Sequence, residues 1–269
     1  MKTYGDTTIT YTPESLPPIL KWVTPNARVL EFGPAYGYMT RYLREVLHCC
    51  ITCVELNPDM ETPLQRYAER VIIANLDSDA WTSQVEGRFD YILFADVLEH
   101  LRDPRHTMEQ ASRFGDCVIV SVPNIGHASI QLSLLEGRFE YQNLGLLDNT
   151  HIHFFTRTSL EALMNSCSME CTKEQDNICH YPFSCELHTC YGQHLMAAVS
   201  IARAPDSSVY QFRSQWRRIA EPAKIRKSQP IRLSFLKANR VILLESIRYF
   251  LLKAHLQNTW LTKLWLKIR

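Results

Sequence analysis

Short apolar runs alternate with helical patterns through the first half of the chain, and this alternation limits the possible folds more than any other feature. Arg28-Val29-Leu30-Glu31-Phe32 reads as a strand, followed by a helix from Tyr38 to Leu47 with Met39, Tyr42, Leu43, Val46 and Leu47 on one face. Ile51 to Glu55 is the next strand, ended by Asn57-Pro58, and Asp59 to Tyr67 can be helical. Val71 to Ala74, Phe89 to Ala95 and Asp116 to Val122 continue the strand series, with a helix opened by Pro104 before the last of them. Strands alternating with helices predict an α/β protein whose doubly wound, mostly parallel sheet is covered on both faces. Further along, Ala128 to Leu135 and Thr158 to Asn165 read as helices. Met169 to Asn177 and His194 to Ala202 read as a terminal antiparallel strand pair.

Length and charge refine this picture. A chain of 269 residues, 46% hydrophobic and 21% charged, can bury a sizeable core and is neither a disordered chain nor a disulfide knot. No apolar run reaches the roughly 18 residues of a membrane-spanning helix. Met1 to Tyr11 lacks an apolar signal core, so a cytoplasmic location is expected, with reduced thiols at the nine cysteines. Cys50 and Cys53 have a C-x-x-C spacing, but strand residues three apart face opposite sides and are not expected to meet. The net charge of +1 conceals an asymmetry: residues 206–269 carry 14 basic and three acidic side chains, whereas residues 1–205 carry 15 basic and 25 acidic ones. The expected organisation is an acidic body over 1–205 and a basic helical extension over 206–269, separated at the polar break Ala204 to Ser208.

Glu31-Phe32-Gly33-Pro34-Ala35-Tyr36-Gly37 lies at the carboxyl end of the first strand, where doubly wound sheets bind ligands. Gly33 and Gly37 let the backbone turn tightly and approach a ligand, and the following helix offers unpaired N–H groups. Glu55, about 20 residues after the glycines at the end of the second strand, suits the hydroxyls of a ribose. The dinucleotide fingerprint G-x-G-x-x-G is not matched, because the spacing here is Gly33-x-Ala35-x-Gly37. Glu31 would repel a pyrophosphate yet can receive a cationic amino group. An α-amino group, a sulfonium and a ribose together describe S-adenosylmethionine; a nicotinamide cofactor is the alternative.

Four motifs in order carry a resemblance. Val29 to Gly37 resembles the first motif of class I S-adenosylmethionine-dependent methyltransferases, which have a Rossmann-like fold, and Val54-Glu55-Leu56 resembles their second-strand motif. Phe89 to Leu101 and Ser121-Val122-Pro123-Asn124 are similar to the fourth- and fifth-strand motifs of the ubiquinone-biosynthesis O-methyltransferase branch. Gly137 to Tyr141 and Asp148 to Thr156 resemble methyltransferases of bacterial surface-polysaccharide pathways, and the whole likeness covers about residues 20 to 203. Ala35 replaces the middle glycine of the family turn, at a position expected not to need positive φ.

The resemblance implies that Glu31 holds the methionine amino end and that Gly33, Pro34, Ala35, Tyr36 and Gly37 wrap it. It implies that Glu55 binds the ribose, that Leu56 packs on the adenine and that Asp77 faces the adenine edge, with Asn75 as the rival for that place. Ala95 and Asp96 end the fourth strand beside the sulfonium, although Asp96 equally suits an N-cap of the turn Val97 to Leu101.

Methyl transfer to a hydroxyl requires positioning and removal of a proton, for which histidine is suited. His151 is the expected base; His153, pointing the same way in a strand-like segment, can orient or replace it, and His100 is expected to stabilise its own turn. Cys179, His180, Cys185, His188, Cys190 and His194 are ligand types for zinc, but they lack paired C-x-x-C knuckles and no metal is expected.

Beyond Ser208, Leu236, Leu243, Ile247, Phe250 and Ala254 form a helical apolar stripe, and Trp260, Leu261, Leu264, Trp265 and Leu266 alternate with Lys263, Lys267 and Arg269. This mixture fits peripheral contact with an anionic membrane, which would put the enzyme at the inner membrane surface; docking on a partner or on a second subunit fits as well. No nucleic-acid module accompanies the basic charge. The expected function is O-methylation of a sugar, glycolipid or related small acceptor in envelope polysaccharide synthesis, with a non-catalytic scaffold of the same fold as the alternative.

Overall fold

Val29, Leu30, Glu31 and Phe32 are all buried on β1 (Arg28–Phe32), an unbroken run that marks a strand covered on both faces. In the computed structural model, which describes residues 17–179, 195–219, 230–232 and 240, β1 lies between β2 (Cys50–Glu55) and β4 (Tyr91–Ala95), parallel to both. β3 (Arg70–Ile73) extends the sheet beyond β2, and β5 (Cys117–Pro123) extends it beyond β4, again in parallel. The order of the strands thus reverses between β1 and β4, the switch point at which doubly wound sheets open a crevice.

Helices fill the connections: α1 (Tyr38–Glu45), the short α2 (Glu61–Leu64) and α3 (Pro104–Ala111). Asp103 caps α3 by accepting the His106 N–H at 2.9 Å, with Pro104 in the first turn. On α1, Met39 and Leu43 pack with Val29, Ile51, Cys53 and Leu64, whereas Val46, expected on the same face, is exposed. Aromatic rings are buried elsewhere in the core, with Phe32 stacked on Phe94 at 4.5 Å and Trp81 edge-on to Phe32 at 5.0 Å. Cys50 is half-buried and Cys53 fully buried, and both are free thiols.

α4 (Ala128–Leu135) and α5 (Arg157–Ser166) form where expected, and Thr156 and Ser159 close a capping box at the start of α5. β6 (Met169–Glu174) and β7 (Asn177–Ile178) follow. The expected strand at His194 to Ala202 is instead the helix α6 (Leu195–Ala202). An apolar run such as Leu-Met-Ala-Ala-Val-Ser-Ile-Ala has no period that separates helix from strand, and Leu, Met and Ala favour helix. The partner of β6 is β8 (Val209–Arg218), antiparallel to β5 on one side and to β6 on the other. The sheet therefore runs β3-β2-β1-β4-β5-β8-β6, with β7 also paired to β8.

β8 lies beyond the boundary expected at residue 205, so residues 206–269 are not simply a helical extension. The described chain divides into two units, one of residues 17–123, 150–176 and 211–219, the other of residues 124–149, 177–179, 195–210, 230–232 and 240. In the second unit Asn124, buried at the end of the fifth-strand motif, donates to the Asp206 and Val209 carbonyls at 3.0 and 2.8 Å. There the His127 ring accepts from the Ser129 amide at the start of α4, and burial pushes its pKa down to about 4. The helical stripe and the Trp-rich end lie outside the described residues, as do His180, Cys185, His188, Cys190 and His194.

Candidate active site

The site lies within the first unit. The parallel register places the ends of β1, β2 and β4 side by side, Phe32 beside Val54 and Phe94. Gly33 and Gly37 adopt φ of +60° and +73°. A Cβ on Gly33 would lie 2.8 Å from Val97 Cγ2, and one on Gly37 would lie 2.7 Å from Leu64 Cδ2, so the turn requires glycine twice. Ala35 also takes positive φ, at +50°, contrary to expectation. The reason is visible in its partner: in this conformation the Ala35 N–H donates to Glu55 Oε2 at 3.0 Å. Glu55 Oε1 accepts the Asn57 N–H at 2.9 Å, so one carboxylate joins the ends of β1 and β2.

Glu31 is fully buried. Its Oε2 accepts from Thr40 Oγ1 at 2.8 Å, while its buried Oε1 has no hydrogen-bond partner among the described residues. Burial raises its pKa from 4.5 to about 7; the Thr40 hydrogen bond opposes the rise and the Glu55 charge adds to it. An orphaned carboxylate oxygen in a buried site has capacity for a cationic donor. Leu56, 65% exposed at the end of β2, offers apolar surface to a flat ring. The glycine turn, the orphaned Glu31 oxygen, Glu55 and Leu56 together fit the cofactor expected from the sequence. Pro34 is buried within the turn and Tyr36 is exposed.

Asp77 Oδ1 accepts the Arg102 N–H at 2.8 Å, and the Asn75 side chain accepts the Asp77 N–H at 2.9 Å. Asn75 thus builds the turn that presents Asp77. Ala95 is half-buried at the end of β4. Asp96, next to it, is left-handed at φ +56°, and its N–H donates to the Ser121 carbonyl at 3.0 Å. No side-chain cap of the turn at Leu98–His100 forms, so Asp96 is not its N-cap. Protein atoms crowd the Asp96 carboxyl and raise its pKa, against the Gln211 and Ser121 hydrogen bonds.

His151 is buried with its Nε2 4.0 Å from Oε1 of the fully buried Glu99, and its ring centre is 4.8 Å from that of His100. The Glu99 carbonyl accepts both the Ile152 and His153 N–H groups, at 2.9 and 3.0 Å, which pins the segment against the end of β4. His151 and His153 are not strand alternates. Residues 151–154 form no strand, and His153 Nε2 contacts the Arg102 carbonyl at 3.2 Å. His100 contacts the Thr150 carbonyl through Nδ1 at 3.1 Å, so it reaches beyond its own turn. Glu99, His100 and His151 also bring three potential ligand atoms within 4.8 Å of one another, a donor set of the type that holds divalent cations. Sequence reasoning quoted Glu99 only as part of a motif. It missed Gln211 and Arg213, for which the sequence signal was the alternation of Tyr210, Phe212 and Trp216 with Gln211, Arg213 and Gln215.

Comparison with known proteins gives the family and the fold. The family described as "Methyltransferase domain" matches residues 10–172. No curated protein matches the chain. A SAM-dependent methyltransferase from Archaeoglobus fulgidus has a similar fold, with a TM-score of 0.51 at 13% identity over 75% of this chain and 89% of that one. One from Methanosarcina mazei gives 0.48 at 12% identity over 77% and 99% of the two chains. A Burkholderia thailandensis 1,6-didemethyltoxoflavin-N1-methyltransferase, with 1,6-didemethyltoxoflavin and S-adenosylhomocysteine bound, gives 0.46 at 18% identity over 75% and 76%. The chain belongs to the methyltransferase-domain family, and its fold is similar to that of a SAM-dependent methyltransferase.

Proposed function

We propose that the chain methylates a hydroxyl of a sugar, glycolipid or related small acceptor, with His151 as the general base, in the synthesis of bacterial envelope polysaccharide. The observation that carries this reading is the His151 ring held beside buried Glu99 at the end of β4. The resemblance of residues 137–141 and 148–156 to surface-polysaccharide methyltransferases and of the fourth-strand motif to ubiquinone O-methyltransferases supports the acceptor class.

When bound, S-adenosylmethionine supplies a methyl group made electrophilic by a cationic sulfur. Glu31 receives the amino end, Glu55 the ribose, Leu56 the adenine face and Asp77 the adenine edge. Asp96 lies beside the cationic centre. In transfer to that oxygen, His151 would take the hydroxyl proton, the methyl group coming from the cofactor and the bonding electrons staying on its sulfur. Glu99 stabilises the imidazolium that forms. The basic, Trp-containing tail draws the enzyme to an anionic bilayer, beside lipid-linked acceptors.

The test is mass spectrometry of envelope glycans from cells with and without the gene, together with turnover of the purified chain on those glycans. Loss of one methylene's mass from a glycan oxygen is expected. Methylation at nitrogen or carbon, or cofactor binding with no transfer to any glycan, would reject this reading and in the second case favour a scaffold.

A further inference from the structure

Strand β8 enters the sheet from far along the chain, and two of its side chains reach the end of β4. Gln211 Nε2 donates to both carboxylate oxygens of Asp96, at 2.6 and 2.8 Å. Arg213 Nε donates to Gln211 Oε1 at 2.7 Å. Because arginine only donates, this bond fixes the amide so that its NH2 faces Asp96. Arg213 is itself anchored: its backbone N–H donates to Asp176 Oδ1 at 3.2 Å, and Asp176 Oδ2 pairs with Arg157 Nη2 at 2.5 Å. The guanidinium of Arg157 lies over the Phe212 ring at 4.8 Å. The antiparallel register sets these contacts, placing Arg213 opposite Ser121 and Gln211 opposite Pro123.

We propose that Gln211 is a positioning residue that holds the Asp96 carboxylate toward the cationic end of S-adenosylmethionine, with Arg213 fixing Gln211 in turn. This rests on the reading that Asp96 lies beside the cofactor's sulfonium. Three facts support the assignment. Asp96 is a non-glycine residue at φ +56°, a conformation that persists where surrounding contacts over-determine it. Its carboxylate accepts from Gln211 at both oxygens, with Ser121 Oγ a further donor at 3.3 Å. The carboxylate has about four lone-pair sites and accepts three hydrogen bonds, so it keeps capacity for a ligand. Burial raises its pKa, and the Gln211 and Ser121 hydrogen bonds and the Arg213 and His100 charges oppose that rise.

The test is calorimetric titration of S-adenosylmethionine into the full-length wild type, Gln211→Met and Gln211→Glu, each from pH 6 to 8, with thermal melting of each. Met keeps the shape and removes the donor; its dissociation constant is expected to rise about tenfold with melting near wild type. Gln211→Glu sets a carboxylate against Asp96 and beside Arg213. Its affinity should approach wild type at low pH, where a shared proton restores a donor, and fall as pH rises. That trend is opposite in sign to the one Glu31 produces. Wild-type affinity and pH dependence in both variants overturns the proposal, as does a lower melting temperature with unchanged affinity. Failure of the wild type itself to bind S-adenosylmethionine would instead reject the cofactor site. Because no acceptor is used, the outcome is independent of the His151 reading.

Discussion

The Ala35 amide donates a 3.0 Å hydrogen bond to Glu55 Oε2, and Ala35 accepts a left-handed backbone, φ +50°, to do so. The turn after β1 and the acid that ends β2 are thus one construction. Glu55 organises the loop with two N–H bonds and has lone pairs left over, which the proposed function assigns to ribose hydroxyls. Glu55→Ala should therefore weaken S-adenosylmethionine about ten- to hundred-fold, since charge-assisted hydrogen bonds contribute about 1.5–3 kcal/mol. Calorimetry measures this, and unchanged affinity would remove Glu55 from the site.

Gly33→Val should abolish cofactor binding more completely. A Cβ there meets Val97 Cγ2 at 2.8 Å, and a β-branched residue is strained at φ +60°. Melting of the variant separates this from unfolding: a folded protein that still binds would contradict the close approach of backbone to cofactor.

If Glu31 holds the amino end, as proposed, cofactor affinity should depend on pH. Its pKa in the free protein is about 7, so near neutrality part of the population is protonated, and a cationic amino group favours the ionised form. Affinity should rise from pH 6 to 8, with proton release on binding, and Glu31→Gln should flatten the profile. Calorimetry in buffers of different ionisation enthalpy counts the protons.

The same group affects stability with a definite sign. Because the folded pKa lies above the ordinary 4.5, the contribution of Glu31 is fully present below pH 4.5 and is lost as pH rises to about 7. The full loss corresponds to about 3 kcal/mol. In the absence of cofactor, Glu31→Gln should be more resistant to urea relative to wild type at pH 8 than at pH 4, and an equal difference at both would contradict the shift.

His151→Ala should lower turnover about 10²–10⁴-fold while leaving cofactor affinity nearly intact, as expected for loss of a general base. Glu99→Gln, which keeps shape and removes charge, should lower it less. A loss below about threefold for His151→Ala would take it out of that role. Chelators should leave turnover unchanged. If activity is lost and one divalent cation restores it, Glu99, His100 and His151 are ligands instead.

Truncation after Arg232 keeps β8 and the Ile231 N–H bond to Asp206 Oδ1 at 2.8 Å, yet removes seven basic side chains against Glu245 alone. Sedimentation with anionic liposomes should be lost while cofactor binding persists, because each basic side chain near such a surface contributes about 1 kcal/mol. If truncation instead turns a dimer into a monomer, the tail is an assembly element.

Local patterns made β1 to β5 legible, because apolar runs, Pro104, Asn57-Pro58 and the Gly33–Gly37 turn act within a few residues of themselves. Glu31 and Glu55 were legible for the same reason, each adjoining a strand end. Local signs were too weak to decide that residues 195–202 coil while 209–218 enter the sheet; the pairing of β8 with β5 and β6 settles that. Nor could spacing reveal that Ala35 would adopt positive φ, since its reason is a carboxylate 20 residues away. The approach of His151 to Glu99, and of Gln211 to Asp96 across 115 positions, exists only after the chain has closed its long-range contacts. Chemistry at the ends of β1 and β2 was thus set by sequence, whereas the groups that meet at the end of β4 were chosen by tertiary packing. Side chains distant in sequence share one site only when the sheet register brings their strand ends together.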